Sequence, residues 1–215
     1  MFRRKRREEP EAAAGAAAGA DAPSQARDGG PWDAEEAHPD NDRIDLGGLR
    51  VPNQPAFDIR LAAVGDQNVS VVALYEESTL QVQALAAPKS AGLWDEVRTK
   101  ITSSSPTLAA RPGPLGTELA GEVEVDGERR PIRYLGVDGP RWLLLAIVSG
   151  RAALDDQVAQ EFLGFVRDVV VVRGDEPMAR EEPITLRRPN EKTVEDKPEP
   201  TLDPFKRGPE ISEIR

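Results

Sequence analysis

Apolar and polar side chains alternate along three segments in the central part of the chain. Residues 57–61 read apolar, charged, apolar, charged, apolar, a period of two that predicts a β-strand with one solvated face. Residues 69–75 and 79–86 are rich in Val, Leu and Ala and predict two further strands. The three residues between them, 76–78, are a connection of hairpin length. The pattern therefore predicts three consecutive strands, the last two of them antiparallel.

The next segment changes from a strand period to a helix period. Apolar side chains recur at three- and four-residue intervals at Leu93, Trp94, Val97 and Ile101. Ser90 precedes them and is a candidate N-cap. The charged residues follow the order that the helix dipole favours, acids before bases: Asp95, Glu96, Arg98 and Lys100.

Alternation returns after a Pro- and Gly-rich connection at residues 111–116. Between residues 118 and 125 Leu, Gly and Val face one way, and three Glu face the other way. Asp126-Gly127 is a hairpin signal, and residues 132–137 predict the returning strand.

A second turn at residues 138–140 leads into the most apolar run of the chain, residues 142–148. This run is apolar on both faces, which predicts a central strand covered on both sides.

A second helix is predicted after this strand. Asp155 and Asp156 stand at its start, where the dipole favours acids, and Gly174 supplies an end signal farther on. The predicted buried stripe consists of Val158, Phe162, Phe165, Val166 and Val169. We expect both helices to bury their stripes against one face of the sheet. The sequence thus predicts an α+β fold with an antiparallel sheet of six to seven strands and two amphipathic helices.

Composition divides the chain into three zones. Residues 1–46 hold a basic start, an Ala/Gly tract and an acidic stretch, and residues 190–215 hold many charges and four prolines. Neither zone has enough apolar surface to offset the entropy of ordering, so we expect disordered N- and C-terminal arms. Residues 47–189 are expected to form a single α+β domain. Deletion of residues 1–43 and 190–215 should then leave the melting transition intact.

Charge and rare residues exclude several functions. The 215 residues include 38 acids against 28 bases, a net charge of −10, which argues against general nucleic-acid binding. The chain has no Cys and one His, His38, which falls in the predicted N-terminal arm. Neither a thiolate nucleophile nor a His-based catalytic relay or metal cluster can be assembled from these residues. We therefore expect no catalytic residue, no metal site and no cofactor.

The N-terminus only partly resembles an export signal. The Ala/Gly tract lacks Leu, Ile and Val, and Glu8, Glu9 and Glu11 interrupt the passage from the basic start to the Ala run. No apolar run reaches the roughly 20 residues of a membrane-spanning helix. We expect a soluble, cytoplasmic protein that makes at most a weak membrane-surface contact through five basic residues. These are Arg3, Arg4, Lys5, Arg6 and Arg7.

Two short motifs offer candidate binding residues. The turn before the apolar strand places Asp138, Arg141 and Trp142 together, and Arg and Trp are frequent in binding hot spots. The burial habit of Trp favours the alternative, a hairpin with Trp142 in the core and Arg141 solvated. Arg173 and Asp175 flank a glycine in an Arg-Gly-Asp tripeptide, for which a turn after the last helix is the favoured interpretation.

Four blocks of the sequence carry a family resemblance. They are residues 71–88 (VVALYEESTLQVQALAAP), 92–94 (GLW), 136–144 (GVDGPRWLL) and 169–178 (VVVVRGDEPM), of which the last two are the most specific. The chain resembles, over about residues 46–189, an actinobacterial family of conserved hypothetical proteins, domain of unknown function 3710. The resemblance implies an actinobacterial, cytoplasmic origin and supplies no activity, ligand or catalytic residue. The order of elements is also similar to the Mog1/PsbP-like fold, whose members often act as non-enzymatic binding or assembly factors.

Three functions remain open. The leading hypothesis is a non-catalytic module that binds an unknown protein partner, because catalytic constellations are missing and the 138–142 turn carries hot-spot residue types. The alternative is a pocket between sheet and helices for a small apolar ligand, lined by Trp94 and Trp142. The third is an enzyme that uses carboxylates or Ser/Thr, which no recognised motif supports.

Overall fold

The structure is a computed structural model that describes residues 29–89 and 92–189. The strands in this part of the chain are β1 (Trp32–Asp33), β2 (Arg43–Asp45), β3 (Leu49–Pro52), β4 (Asp58–Val64), β5 (Gln67–Tyr75), β6 (Ser78–Ala86), β7 (Ala109–Gly113), β8 (Gly116–Val125), β9 (Glu128–Gly139), β10 (Trp142–Gly150) and β11 (Val170–Val171). The helices are α1 (Leu93–Ser104) and α2 (Asp156–Asp168), with a short 3-10 helix at Arg151–Ala153 before α2.

A seven-stranded antiparallel sheet forms the centre of the fold. Its order is β4-β5-β6-β10-β9-β8-β7, so each hairpin predicted from the sequence is present. The predicted α+β class, strand number and helix number are confirmed. The predicted Pro/Gly-rich connection is instead the edge strand β7 and its hairpin to β8. An edge strand tolerates Pro112 because one side of its backbone needs no partner.

The two helices cover opposite faces of this sheet, so the prediction that they share one face is wrong. Phe162, Phe165 and Val166 of α2 pack on the face that carries Trp142 and Leu144, which we call the inner face. On the outer face, Leu93, Trp94 and Val97 of α1 pack on Leu85 and Leu143. Side chains alternate along a strand, so β10 is covered on both faces, as its uniform apolarity predicted.

A second, four-stranded sheet has the order β1-β11-β3-β2 and includes residues predicted to be disordered. The backbone of Trp32 donates to Val169 O, and Ala34 donates to Val171 O. The guanidinium of Arg43 is bonded to Asp168 at the end of α2. The domain boundary at residue 47 is therefore wrong for residues 29–46. Backbone pairing and a few buried side chains order this segment, and neither produces a clear apolar period. The remainder of the predicted arms, residues 1–28 and 190–215, lies outside the described residues.

Candidate functional site

Trp142, predicted as a candidate binding residue, lies in the core. Its side chain is 0% exposed, and its indole N–H donates to the carboxylate of Asp33 at 2.5 Å. One ring face lies directly against the backbone of Gly139, where an added Cβ would be 2.1 Å from a ring carbon. A side chain held in this way cannot touch a partner in this fold. The prediction of Trp142 as a contact residue is corrected in favour of the core alternative.

Asp138 holds the N-terminus of α1. Its carboxylate accepts a hydrogen bond from the backbone N–H of Trp94 at 3.1 Å. The N-cap residue, Gly92, has φ 108° and has no side chain that could cap the helix. Ser90, the predicted cap, is outside the described residues. Asp138 thus supplies, from β9, the acceptor that unpaired helix N–H groups require.

Partial burial raises the pKa of Asp138 above its ordinary value of 3.8, because desolvation penalises the charged carboxylate. Hydrogen bonds from the α1 backbone oppose this effect, and the charge of Asp95 adds to it. A raised pKa in a cleft is often a sign of a catalytic acid. The role of Asp138 in holding α1 explains its environment without catalysis.

Trp94 repeats the arrangement seen at Trp142. Its indole N–H donates to Thr117 O at 2.7 Å, and its ring lies against Gly136, where an added Cβ would be 2.1 Å from a ring atom. Each tryptophan ring, predicted as a lining of a ligand pocket, therefore has a face in contact with the backbone of a glycine. The small residues of the block at 136–144 are explained by these two contacts.

Arg141 is at the surface, beside the 173–176 loop. It is half-buried and has φ 59°, a left-handed conformation that is unfavourable for a residue with a side chain. Its carbonyl accepts from Ala87 N–H at 2.8 Å, which fixes the turn. Its Nη2 donates to Gly174 O at 2.7 Å. This contact joins the two motifs that the sequence singled out separately.

Arg173 turns back onto the same loop. Its Nη1 donates to Gly174 O at 3.3 Å and to Glu176 O at 2.9 Å. Its Nε is buried and has no hydrogen-bond partner. Asp175 is exposed next to this contact. We call the group formed by Arg141, Arg173, Gly174 and Asp175 the arginine corner. The acceptor role of the Gly174 and Glu176 carbonyls has no signal in the sequence, because every residue carries a carbonyl.

The two guanidinium groups of the arginine corner lack a carboxylate partner. Within the described part of the chain, no Asp or Glu oxygen lies within 4.0 Å of a side-chain nitrogen of Arg141 or Arg173. Several other arginines of the described chain are in ion pairs, as Arg43 is with Asp168 and Arg111 with Glu118. Two guanidinium groups thus share the carbonyl of Gly174, next to the exposed acids Asp175 and Glu176.

A buried ion cluster lies elsewhere, on the inner face of β8 and β9. Glu118 is 2% exposed and accepts from Arg111 Nε at 2.6 Å and from Arg133 at 3.0 Å. Arg133 also contacts Asp156 at the start of α2, at 3.0 Å. The sequence pattern placed Glu118 correctly on the face opposite Leu119 but gave no sign that this end of the face is buried. The charges compensate each other, and the cluster ties α2 to the sheet.

Residues 29–89 and 92–189 contain neither a metal-binding cluster of side chains nor a helix that could span a membrane. No group of three or more His, Cys, Asp or Glu is arranged to hold a metal ion there. His38 is exposed, and its Nδ1 lies 3.2 Å from Pro39 O. Neither helix in this part of the chain is long and apolar enough to cross a membrane.

Comparisons with known proteins give a family and one fold likeness. The model of a family described as "Protein of unknown function (DUF3710)" matches residues 30–195. No curated protein matches the sequence. The chain is similar to the solution structure of cyanobacterial PsbP (CyanoP) from Synechocystis sp. PCC 6803, with 16% sequence identity and a TM-score of 0.38. That match covers 60% of this chain and 91% of the PsbP chain.

Proposed function

The chain belongs to the DUF3710 family of proteins of unknown function, and from that premise we propose that it is a non-catalytic protein-binding domain. Its contact with the partner includes the arginine corner. The observation that carries the proposal is the pair of guanidinium groups on Gly174 O with no carboxylate partner among the described residues. Arginine is among the residues that contribute most to protein interfaces, and it binds planar acceptors through two parallel hydrogen bonds.

The corner is also preorganised for binding. Association costs free energy when long side chains lose rotamer freedom. The hydrogen bonds to Gly174 O and Glu176 O already hold Arg141 and Arg173, so part of that cost is met in the folded domain. Of the five candidate residues, Arg141, Arg173 and Asp175 remain in the proposed surface. Asp138 instead holds the start of α1, and Trp142 binds Asp33 in the core.

The contacts of the buried carboxylates support the non-catalytic part of the proposal. Asp33 and Glu118 are the buried acids of the described chain. Asp33 accepts from Trp142 and from the backbone of Glu35, and Glu118 lies between two arginines. Both hold neighbouring elements in place.

A cytoplasmic location is part of the same proposal and agrees with the absence of Cys from the chain. Cell fractionation with an antibody against the full chain tests it.

Affinity capture with matched variants tests the function. The full chain is compared with Arg141→Gly/Arg173→Ala and with Arg129→Ala/Arg167→Ala, both introduced into cells of the source organism. The second pair removes the same charge from two exposed sites. We expect a stoichiometric partner that the wild type and the control retain and that the corner variant loses, with all three chains equally folded by circular dichroism. Retention of every partner by the folded corner variant would contradict the proposal.

A further inference from the structure

We infer that the arginine corner recognises an acidic peptide segment, through a side-chain carboxylate that lies between Arg141 and Arg173. This inference rests on the proposed function and specifies the partner's chemistry. The inference starts from the guanidinium N–H donors of Arg141 and Arg173 that make no hydrogen bond within the described residues. Arg141 uses only Nη2, and Arg173 uses only Nη1, for the hydrogen bonds that hold the corner. Arg141 Nε and Nη1 and Arg173 Nη2 have no acceptor among the described residues.

The electrostatics of the corner favour an anion at this position. Two guanidinium groups that donate to one carbonyl oxygen repel each other, and the oxygen offsets only part of that repulsion because it carries a partial charge. A carboxylate brings a full negative charge and accepts parallel hydrogen bonds from the planar face of arginine. Both residues are half-buried, but their hydrogen bonds to Gly174 O are exposed, so we expect binding to weaken as salt is added.

The surroundings favour a carboxylate over a phosphate group. Phosphate sites typically combine cations with several free backbone N–H groups at a helix N-terminus. Asp138, next to the same turn, reaches the N-terminus of α1 and accepts from its N–H groups, so these donors are already used. Asp175 and Glu176 are exposed beside the corner and repel a dianion more strongly than a single carboxylate.

The test uses the full chain and three probes of known composition. These are a ten-residue peptide of alternating Gly and Glu, the same peptide with Gln in place of Glu, and inorganic phosphate. Arginine Nε–Hε NMR signals of Arg141 and Arg173 are followed during each titration at low ionic strength. We expect the Glu peptide to shift both signals with one common Kd, the Gln peptide to shift neither, and phosphate to bind more weakly than the Glu peptide.

Four variants separate recognition from folding. Arg141→Gly keeps the left-handed turn that glycine adopts freely, so its melting temperature should equal or exceed that of the wild type. We expect Arg141→Gly and Arg173→Ala each to weaken binding of the Glu peptide by at least tenfold. Arg129→Ala, an exposed residue in the β8–β9 hairpin region, should leave the Kd within twofold. Arg141→Lys keeps the charge but loses the planar fork, and we expect an intermediate loss.

Several results would overturn the inference. They are equal binding of the Gln peptide, tighter binding of phosphate than of the Glu peptide, and an unchanged Kd in folded Arg141→Gly. Affinity capture distinguishes this failure from failure of the proposed function. If the corner variant loses its cellular partner while the Glu peptide does not bind the wild type, the domain binds protein through other chemistry at the same surface.

Discussion

At the scale of single residues, the indole N–H of Trp142 joins the N-terminal segment to the large sheet. Its acceptor, Asp33, is 109 positions away in sequence and is buried with it. The residue type of Trp142 predicted burial, but its partner could not be predicted, because Asp33 lies in a segment with no apolar period. The same limit applies to the arginine corner. Arg141 and Arg173 were both singled out from the sequence, and their shared acceptor depends on the fold.

Replacement of Trp142 by Phe should destabilise the domain. The ring volume is largely kept, but Oδ2 of Asp33 loses the indole donor while Oδ1 keeps the Glu35 N–H, which costs about 1–3 kcal/mol plus the smaller ring's packing loss. Urea unfolding measures the change in the free energy of unfolding. A cost below about 0.5 kcal/mol would mean that water or another donor satisfies Asp33. A destabilisation by about 1–3 kcal/mol or more would also make Trp142→Ala unsuitable for mapping a binding surface.

Asp138 gives a prediction about pH. Because its pKa is raised by burial, the folded chain holds the Asp138 proton more tightly than the unfolded chain does. The stabilising contribution is fully present below the unfolded pKa, near 3.8, and is lost as pH rises through the folded pKa. The free energy of unfolding of the wild type minus that of Asp138→Asn should therefore decrease between pH 3.5 and pH 7. Urea unfolding across this range tests the sign, and a difference that grows with pH would contradict it.

At the scale of elements, the regular periods predicted both helices and the β5–β6, β8–β9 and β9–β10 hairpins of the large sheet, but not the β7–β8 hairpin. β1, β2, β3 and β11 were missed because each has at most four residues, too few to establish a period. The acceptor that holds the start of α1 could not be predicted, for a different reason. It comes from β9, 44 positions along the chain, so local cap signals could not reveal it.

Substitution by Ala should have opposite effects on stability at two glycines, Gly139 and Gly164. Gly139 of β9 lies under Trp142, and an added Cβ would be 2.1 Å from the ring. Gly139→Ala should therefore destabilise the domain by about 1–3 kcal/mol or more. Gly164 of α2 is exposed and has nothing within 4 Å of an added Cβ, so Gly164→Ala should stabilise the domain by about 0.5–1 kcal/mol.

Thermal unfolding of both glycine variants measures these effects. If Gly139→Ala is neutral, the Trp142 ring does not rest on the β9 backbone. If Gly164→Ala is destabilising, this face of α2 is in contact with something that the described residues do not include.

At the scale of the whole molecule, residues 29–46 belong to the folded domain. Trp32 pairs with β11, Asp33 binds Trp142, and Arg43 binds the end of α2. Deletion of residues 1–43 should therefore lower the free energy of unfolding by more than about 3 kcal/mol relative to deletion of residues 1–28. The difference between the two truncated chains isolates residues 29–43. Equal melting temperatures would show that this segment is dispensable, as its composition first suggested.

The most direct test of the central claim is site-specific photo-cross-linking in cells. A photoreactive benzophenone amino acid replaces exposed Asp175 in the arginine corner, and exposed Asp126 in the β8–β9 turn serves as the matched control. The account predicts one dominant cross-linked partner from position 175 and not from position 126. That cross-link should disappear when Arg141→Gly is added to a chain with unchanged melting temperature. Equal cross-linking from both positions, or a cross-link that persists without Arg141, would contradict the account.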